Sequence, residues 1–558
     1  MKRFLWLGVV AFLFAILPGC GDVFRPIIIP NPPVFPNPEA AHTVVTIGDN
    51  GDVTSGSAMV IDVTGDSVVS IKNIAIHPVH MVQQTASQVL ALNQAKTGFP
   101  PPQSGCLVES NGQVYNVCPS LTKLTFSGTI ISTTTTITLP ASSAASFVAV
   151  APNDTKAYVT LPAYVPDPIN HPNDDAVAVI DTTLNAVSSI FAVGNDPEAL
   201  AVTPDASKVY VANKGDGTLS AFNTKDLSAR TITGSLSSPP IWLSSRSDSQ
   251  RVYVLEQNGT LAWLDTHITA GPDTLTETGI SVLGATNMWY DMILNRLYIP
   301  WMNRTTVVDV SQAEPLTLST VQITPVSASQ RTQGDVCSTF TPTAVTAAAV
   351  TSLPDASRAY VGSFAGFEVD VNISRATVNG TNGTTTYTYS LQPPATIDLL
   401  PGMVITISGV TSSSGNIPSD FDGTFSILSV GGGMFQVANV PTDTYVSGGI
   451  GAAPNVCPQV TVMDASNFSV KPPIVVPGVP GDPFCADPTR TRFRWNMVAA
   501  GDSTRAYLSS CDGGNVNFID TSTDTYLLNT VAPPSARQPI PPSQQNPPQS
   551  PVFMIAGP

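Results

Sequence analysis

The residues that could carry chemistry are few and widely spaced in this sequence. Its five histidines include one close pair, His77 and His80 in HPVH, which could supply two zinc ligands. No further ligand lies nearby in sequence, so we interpret the pair as a turn that enters a strand. The acid- and glycine-containing segments GDNGDVTSG and GNDPE lack the spacing of a calcium loop and are interpreted as turns. Nucleophile elbows, HExxH motifs and phosphate-binding glycine loops do not occur. We therefore predict no catalytic residue, no bound metal and no cofactor.

Composition and charge indicate the class of protein and exclude one class of partner. Charged residues make up only 11% of the 558 residues, below the roughly 25% of ordinary soluble domains, which is typical of exported all-β proteins. The 40 acidic and 24 basic residues give a net charge of -16. No cluster of Lys and Arg could neutralise a phosphate backbone, so we predict no nucleic-acid partner.

The N-terminus has the layout of a secretory signal. MKR is followed by the apolar run FLWLGVVAFLFAIL, and LPGC ends at Cys20. LPGC resembles the lipobox of bacterial lipoproteins, in which cleavage before the cysteine is coupled to its diacylation; a plain signal peptide is the alternative. We predict a signal peptide over 1–19, a lipid on Cys20 and an extended proline-rich tether over 20–40. Gly21 in place of Asp favours the outer membrane, on its periplasmic or its cell-surface side.

A strand pattern repeats along the rest of the chain. An aspartate precedes a tyrosine by five residues at Asp205/Tyr210, Asp248/Tyr253, Asp355/Tyr360 and Asp502/Tyr507. Apolar runs flank each pair, which predicts two strands joined by a tight turn in which Asp accepts local backbone N–H groups. A third apolar strand that ends in an acid or amide and a fourth strand rich in Thr, Ser and Val complete the unit. Four short strands at a period near 42 residues are typical of propeller blades.

The repeats resemble the YVTN-type β-propeller family, on YVAN at Tyr210–Asn213, YVTL at Tyr158–Leu161, VIDT and the linker VGNDPEALAVTPDASKVYVAN. The resemblance covers most of 41–365 and 454–558. It implies an all-β fold, a propeller of four-stranded blades. Eight third strands favour eight blades, and seven, the commoner number in the family, is the alternative. A second-strand pattern in AHTVVTIGDN and a first-strand pattern at 551–558 predict that the N- and C-terminal strands close one blade.

Three segments near 94–120, 162–175 and 365–456 interrupt the pattern between a second and a third strand. The longest alternates apolar and polar residues with glycine turns, which predicts a small inserted β-domain over 366–453. Six cysteines remain beyond Cys20, and an even number in an exported chain favours disulfides. Because linkers before first strands and loops after second strands share a face of the ring, the blade map pairs the cysteines as Cys337–Cys457, Cys485–Cys511 and Cys106–Cys118.

Three side chains, Glu198, Trp495 and Trp301, are candidates for binding. Glu198 begins a first strand near the channel mouth, and Trp495 holds the equivalent position in the last blade. Trp242 is one residue out of register with both, and strand alternation sends adjacent side chains to opposite sides. We therefore expect that Glu198, Trp495 and Trp242 do not all line one pocket and that they pack in the core or between blades. Trp301, just after a second strand, is predicted to lie on the loop-rich face, which carries the inter-blade linkers and the loops between second and third strands.

These patterns favour binding over catalysis. We predict a monomeric, lipid-anchored propeller of the cell envelope, which contacts the membrane only through its anchor. Its loop-rich face acts as a structural scaffold or binds a protein or glycan whose identity the sequence does not give. The alternative is a lactonase-like or oxidoreductase-like propeller enzyme with its site at the central channel. Strand order places the insertions on one face and the start of the strand near Ala41 on the other, so Cys20 is expected to hold the opposite, plain face toward the membrane.

Overall fold

The computed structural model describes residues 42–50, 55–94, 107–110, 113–116, 118–140, 145–151, 154–170, 172–267, 271–333, 335–392, 399–488, 491–527 and 550–557. The predicted signal peptide, the tether with Cys20, and Cys106 lie outside these ranges. The described chain is almost entirely β-structure, with one short helix at Pro483–Ala486 and a 3₁₀ turn at Ala328–Gln330. None of its helices is long and apolar enough to cross a membrane.

Within the described ranges, eight antiparallel sheets form propeller blades, each with its first strand innermost. Blade 1 consists of Ser550–Ala556, Thr43–Asp49, Ser57–Asp62 and Ser67–Asn73, and blade 2 of Pro78–Thr85, Gln88–Asn93, Ser120–Ser127 and Ile130–Thr138. Blade 3 consists of Val148–Val150, Lys156–Leu161, Ala176–Asp181 and Ala186–Ala192. Blade 4 consists of Pro197–Val202, Lys208–Asn213, Thr218–Asn223 and Ala229–Arg230.

Blade 5 consists of Pro240–Ser245, Arg251–Glu256, Thr260–Asp265 and Asp273–Ser281, and Ile232–Thr233 pairs parallel with its fourth strand; blade 6 consists of Trp289–Asp291, Arg296–Trp301, Arg304–Asp309 and Leu316–Gln322. Blade 7 consists of Thr346–Ser352, Arg358–Asn379, Ile450–Asp464 and Ile474–Val475, and Val479–Pro480 also pairs with its third strand. Blade 8 consists of Trp495–Ala499, Arg505–Ser510, Asn515–Asp520 and Thr525–Tyr526.

The ring closes as the sequence predicts. Ser550–Ala556 pairs antiparallel with Thr43–Asp49, so the two ends of the chain complete blade 1. Buried apolar clusters lie between neighbouring blades all round the ring, including one that joins blade 8 to blade 1. A four-stranded blade exposes two apolar faces, and this closed packing buries both. The eight blades match the number that the sequence favoured.

Local turn chemistry explains why the strands recur. Asp205 Oδ1 accepts the backbone N–H of Ser207 at 3.0 Å, and Ala206 between them has φ 56°. The tyrosine that follows, Tyr210, is fully buried, and its hydroxyl donates to Asp273 Oδ2 of the next blade at 2.8 Å. The aspartate therefore shapes the turn, and the tyrosine joins one blade to the next.

Two disulfides connect loops on one face. Cys337 is bonded to Cys457 and Cys485 to Cys511, so both predicted pairings are confirmed. Such bonds are typical of exported proteins. Cys118 is also in a disulfide, and its predicted partner Cys106 lies outside the described residues.

The 366–453 segment is a direct extension of two strands of blade 7. Residues Arg358–Asn372 pair without interruption with Ile450–Asp464, so the inner hairpin of the blade continues into the insertion. The other strands of the insertion are Thr384–Leu391, Val404–Ser408, Thr411–Ser412, Gly423–Gly431, Met434–Val437 and Tyr445–Ser447. They enclose a separate buried cluster that includes Val371, Tyr387 and Phe421. A smaller hairpin, Leu107–Ser110 with Gln113–Asn116, occupies the first interruption.

The two faces of the ring differ. We call the face with the inter-blade linkers and the loops between second and third strands the loop-rich face, and the opposite face the plain face. On the plain face, the Asp355 backbone N–H donates to Ser503 Oγ at 2.9 Å, and His42 Nδ1 lies 4.0 Å from Asp502 Oδ2. The second strand of blade 7 runs from this face to the insertion. Opposite faces are therefore confirmed for the insertion and His42; Ala41 lies outside the described residues.

Candidate functional site

The first strands surround a central cavity of about 450 Å³. Blades 1, 2, 3, 5, 6, 7 and 8 contribute to its wall, which extends from Trp242 and Phe493 near the loop-rich face to Pro354 and Gly501 near the plain face. At the plain end, Trp289 and Ile293 are exposed by 36% and 51%. The cavity therefore has its mouth on the plain face.

Arg492 crosses the channel at the other end. It belongs to the linker before blade 8, and its Nη1 donates to the Glu198 carbonyl oxygen at 2.8 Å and lies 3.2 Å from Glu198 Oε1. Blade 4, which carries Glu198, is directly opposite blade 8 in a ring of eight. A weaker contact joins Nη2 to the Ile241 carbonyl oxygen at 3.5 Å. The guanidinium thus links opposite sides of the ring.

Aromatic rings surround this guanidinium. Its carbon lies 5.2 Å from the ring centroid of Phe147, 5.3 Å from that of Trp242 and 5.7 Å from that of Phe493. Desolvation by burial lowers the pKa of Arg492 from its ordinary value, and the Glu198 carboxylate opposes this shift. A cation held over several rings and paired with one carboxylate is a strong, water-excluding contact. Arg492 and the rings therefore form a layer between the cavity and the loop-rich face.

His80 lies beside this layer. Its ring stacks on Phe147 with centroids 4.1 Å apart and lies 4.6 Å from the centroid of Phe553. Burial lowers the pKa of His80 to about 3, helped by the nearby Arg492 charge and opposed by a hydrogen bond with the backbone of Val148. The imidazole is therefore neutral at pH 7 and packs as an aromatic ring.

The two histidines of HPVH lie in a turn and in the strand that follows it. His77 has φ 50° in the turn before blade 2, and its Nδ1 lies 3.0 Å from Asp49 Oδ2, while His80 lies within Pro78–Thr85. The turn interpretation of HPVH is therefore confirmed. No group of three His, Cys, Asp or Glu side chains arranged to hold a metal occurs in the described part of the chain.

Glu198, Trp495 and Trp242 do not all line the cavity. Trp242 and Trp495 belong to its wall, whereas Glu198 does not and is paired with Arg492. Trp242 follows a bulge in its strand, a register shift between Pro240 and Trp242 where the first strand of blade 5 pairs with the second. A β-bulge adds one residue and so changes which side the following residues face. Trp495 also packs, stacking on Phe364 at 5.8 Å between centroids.

Trp301 ends the second strand of blade 6 on the loop-rich face. Its Nε1 donates to Thr306 Oγ1 at 2.9 Å, and the Arg304 guanidinium lies 5.3 Å from its ring centroid. The side chain is half-buried, so one edge of the indole is accessible beside a cation. Its role as a contact residue stays a prediction.

Sequence reasoning missed Arg492, Phe147 and Phe493, the residues that make the layer across the channel. They come from two linkers and not from the repeated strand positions, and Arg492 lies 294 residues from Glu198. The basic and aromatic run TRTRFRWN before blade 8 is the available signal, because a charged linker at the loop-rich end of the channel is unusual among the apolar repeats.

Three cavity-lining residues carry buried polar atoms without a hydrogen-bond partner among the described residues. They are the Trp495 indole N–H, Asp291 Oδ2 and Gln83 Oε1. These three atoms have almost no accessible surface, so they do not face the open space of the cavity. The wall is largely apolar and includes Met288 and Val350. A cavity of this kind can bind a small apolar molecule.

The insertion carries a second kind of surface. Large apolar side chains are exposed at six positions between 400 and 450 in the described residues: Leu400, Ile417, Met434, Val440, Val446 and Ile450. The exposed fractions reach 95% for Ile417 and 58% for Val446. Exposed apolar side chains of this size are candidates for contact with a partner.

Comparisons with known proteins find structural similarity of limited extent and no sequence match. No protein-family model and no curated protein matches the sequence. Among solved structures, the chain is similar to apo AztD from Citrobacter koseri, with a TM-score of 0.45 and 9% identity over 92% of this chain and 97% of that chain.

Two further solved structures are similar. A functionally unknown protein from Desulfotomaculum acetoxidans has a TM-score of 0.41 and 10% identity over 57% of this chain and 88% of that chain. A putative 6-phosphogluconolactonase from Bacteroides uniformis has a TM-score of 0.37 and 13% identity over 50% of this chain and 82% of that chain. Because all three TM-scores lie under 0.5, no functional argument follows, and the fold assignment rests on the blades themselves.

Proposed function

We propose that this protein is a YVTN-type propeller of the bacterial cell envelope, anchored through Cys20 to the outer membrane, that binds a protein or glycan through its loop-rich face. The observation that carries the proposal is the 366–453 insertion, which continues the hairpin of blade 7 and exposes a group of apolar side chains. A rigid ring that presents an elaborated loop is a common way to build a binding surface.

The two disulfides strengthen this proposal. Cys337–Cys457 joins the base of the insertion to the linker before blade 7, and Cys485–Cys511 joins the next linker to blade 8. Both bonds restrict loops on the loop-rich face. Because a preorganised surface loses less conformational entropy when it binds, rigid loops favour affinity for a partner.

The position of His42, the first described residue, supports an orientation, because it lies on the plain face beside Asp502. A lipid on Cys20 would therefore hold the plain face toward the membrane and present the insertion away from it. Replacing Cys20 with alanine should abolish incorporation of labelled palmitate, and labelling of the C20A protein would contradict the anchor.

The enzyme alternative has less support. The charged groups across the channel, Arg492 and Glu198, are bonded to each other, and the cavity wall is largely apolar. This arrangement leaves no exposed acid and base facing one reacting atom among the described residues. Turnover of a lactone by the purified protein, lost in a cavity-filling variant, would favour the alternative.

Photo-crosslinking from two positions tests the binding proposal. Benzoylphenylalanine replaces Val446 on the insertion, and Leu184 on the plain face, 75% exposed, is the matched control. We expect an adduct in intact cells from position 446 and none from position 184. Adducts from position 184 alone would contradict the proposal.

A shortened chain tests whether the insertion is the binding element. Glu368 and Pro454 are paired opposite each other, so residues 369–453 can be replaced by Asn-Gly, which closes a two-residue hairpin. The variant keeps the ring and both disulfides, and its thermal midpoint provides the folding control. Partner capture should be lost with this variant while the ring remains folded; unchanged capture would place binding elsewhere.

A further inference from the structure

The central cavity is closed at one end and open at the other. Trp242 and Phe493 form the end next to Arg492, and Trp289 and Ile293 mark the exposed mouth on the plain face. A volume of about 450 Å³ lies within the roughly 300–1,000 Å³ of small-molecule sites. The space therefore has the shape of a pocket and not of an open pore.

The charges around the pocket disfavour an anionic occupant. Asp291 is the one formally charged residue of its described wall. Its Oδ1 accepts the backbone N–H groups of Ile293 and Leu294 at 2.9 and 3.0 Å, and its Oδ2 accepts no hydrogen bond from the described residues. Arg492 is not part of the wall and is paired with Glu198. The described wall therefore contains no positive charge to hold a carboxylate or sulfonate.

The wall of the cavity is mainly apolar. Met288, Val350 and Met497 contribute to it, and the Trp495 indole, which is 3% exposed, stacks on Phe364 between blades 7 and 8. Contact with such a wall favours an apolar occupant.

We propose that this cavity binds a small, neutral, mainly apolar molecule. The ligand enters from the plain face, because the aromatic layer and Arg492 close the other end. The site is separate from the proposed partner surface on the insertion and does not depend on it.

A solvatochromic naphthalene ketone, Prodan, is a suitable probe, since it is neutral and mainly apolar. The full exported chain is titrated with Prodan, and binding is read from the blue shift of its emission. The anionic dye 1,8-ANS, of similar ring size, serves as the charged comparison. We expect saturable binding of Prodan and at least tenfold weaker binding of ANS.

Two variants locate the site. Ala348→Trp fills the cavity from the first strand of blade 7 and should abolish Prodan binding. Leu184→Ser, on the plain face outside the cavity, should leave affinity unchanged.

Circular dichroism melts show whether each variant keeps its fold. Prodan affinity that survives in folded Ala348→Trp would overturn the proposal. Equal affinity for ANS would overturn the preference for a neutral ligand. Absence of saturable Prodan binding to the wild type would remove the site altogether.

Discussion

Replacing His80 with phenylalanine should remove a loss of stability that the wild-type protein shows in mild acid. The imidazole stacks on Phe147 and lies close to Phe493 and Phe553, in the layer that closes the channel. Burial lowers its pKa to about 3, and the positive Arg492 adds to the shift. The folded protein therefore resists protonation of this ring.

The size of the effect follows from the two protonation states. In the unfolded chain histidine has a pKa of about 6.5. Because the folded pKa is the lower one, the unfolded state takes up the proton first as the pH falls, and stability is lost between about pH 6.5 and pH 3. At pH 8 the ring is neutral in both states, and at pH 4.5 the difference amounts to about 3 kcal/mol.

Guanidinium unfolding at pH 8 and pH 4.5 measures this difference. With the disulfides intact, the wild type should lose about 3 kcal/mol more than His80→Phe between the two pH values. His80→Gln, which does not titrate but keeps a polar group, should match His80→Phe in pH dependence. An equal acid loss in wild type and His80→Phe would refute the linkage that we derive from burial.

Three further predictions concern contacts between residues that are distant in sequence. Arg492→Met should lower the free energy of unfolding by about 2 kcal/mol, because it removes the hydrogen bond and ion pair with Glu198, which keeps Lys214 at 3.6 Å; a double-mutant cycle with Glu198→Gln measures the coupling. Asp273→Ala should lower it by about 3 to 5 kcal/mol, since this fully buried carboxylate pairs with two cations of blade 4, and the guanidinium midpoint checks it. Replacing Cys337 and Cys457 together with serine should lower it by about 5 kcal/mol in the chain-entropy model, because their bond closes a loop of 120 residues, and thermal unfolding with and without reductant tests this.

The strand order could be predicted because it is encoded by local chemistry. The aspartate of each tight turn accepts a backbone N–H two residues later, as Asp502 does from Thr504 at 3.0 Å. The acid that ends each third strand does the same, as Asp520 does from Ser522 at 2.8 Å. These contacts involve near neighbours in sequence, so a repeated residue pattern is enough to place the strands and, through them, the two confirmed disulfides.

The channel could not be predicted because its contacts are long-range and do not repeat. Arg492 comes from a linker, and its partners belong to blades 4 and 5 on the other side of the ring. The first strand of blade 5 has a bulge after Pro240, and the same bulge follows Pro78 and Pro197 in blades 2 and 4, a recurrence that sequence reasoning did not use. Sequence reasoning placed Glu198 at one end of the channel but did not identify Arg492, which pairs with it.

The two proposals assign different roles to the two faces of the ring. A tether that holds the plain face toward the membrane would also turn the cavity mouth at Trp289 toward the bilayer. A neutral, apolar ligand partitions into lipid, so it would reach the mouth from the side on which it is most concentrated. The insertion would meanwhile face away from the membrane, where a partner is accessible.

This separation makes the roles independently testable. Replacing residues 369–453 with Asn-Gly should remove partner capture and leave Prodan affinity unchanged, because the cavity wall comes from first strands and not from the insertion. Ala348→Trp should do the reverse. If either change removed both activities from a folded protein, the two faces would be coupled through blade 7, and the assignment of separate functions would be wrong.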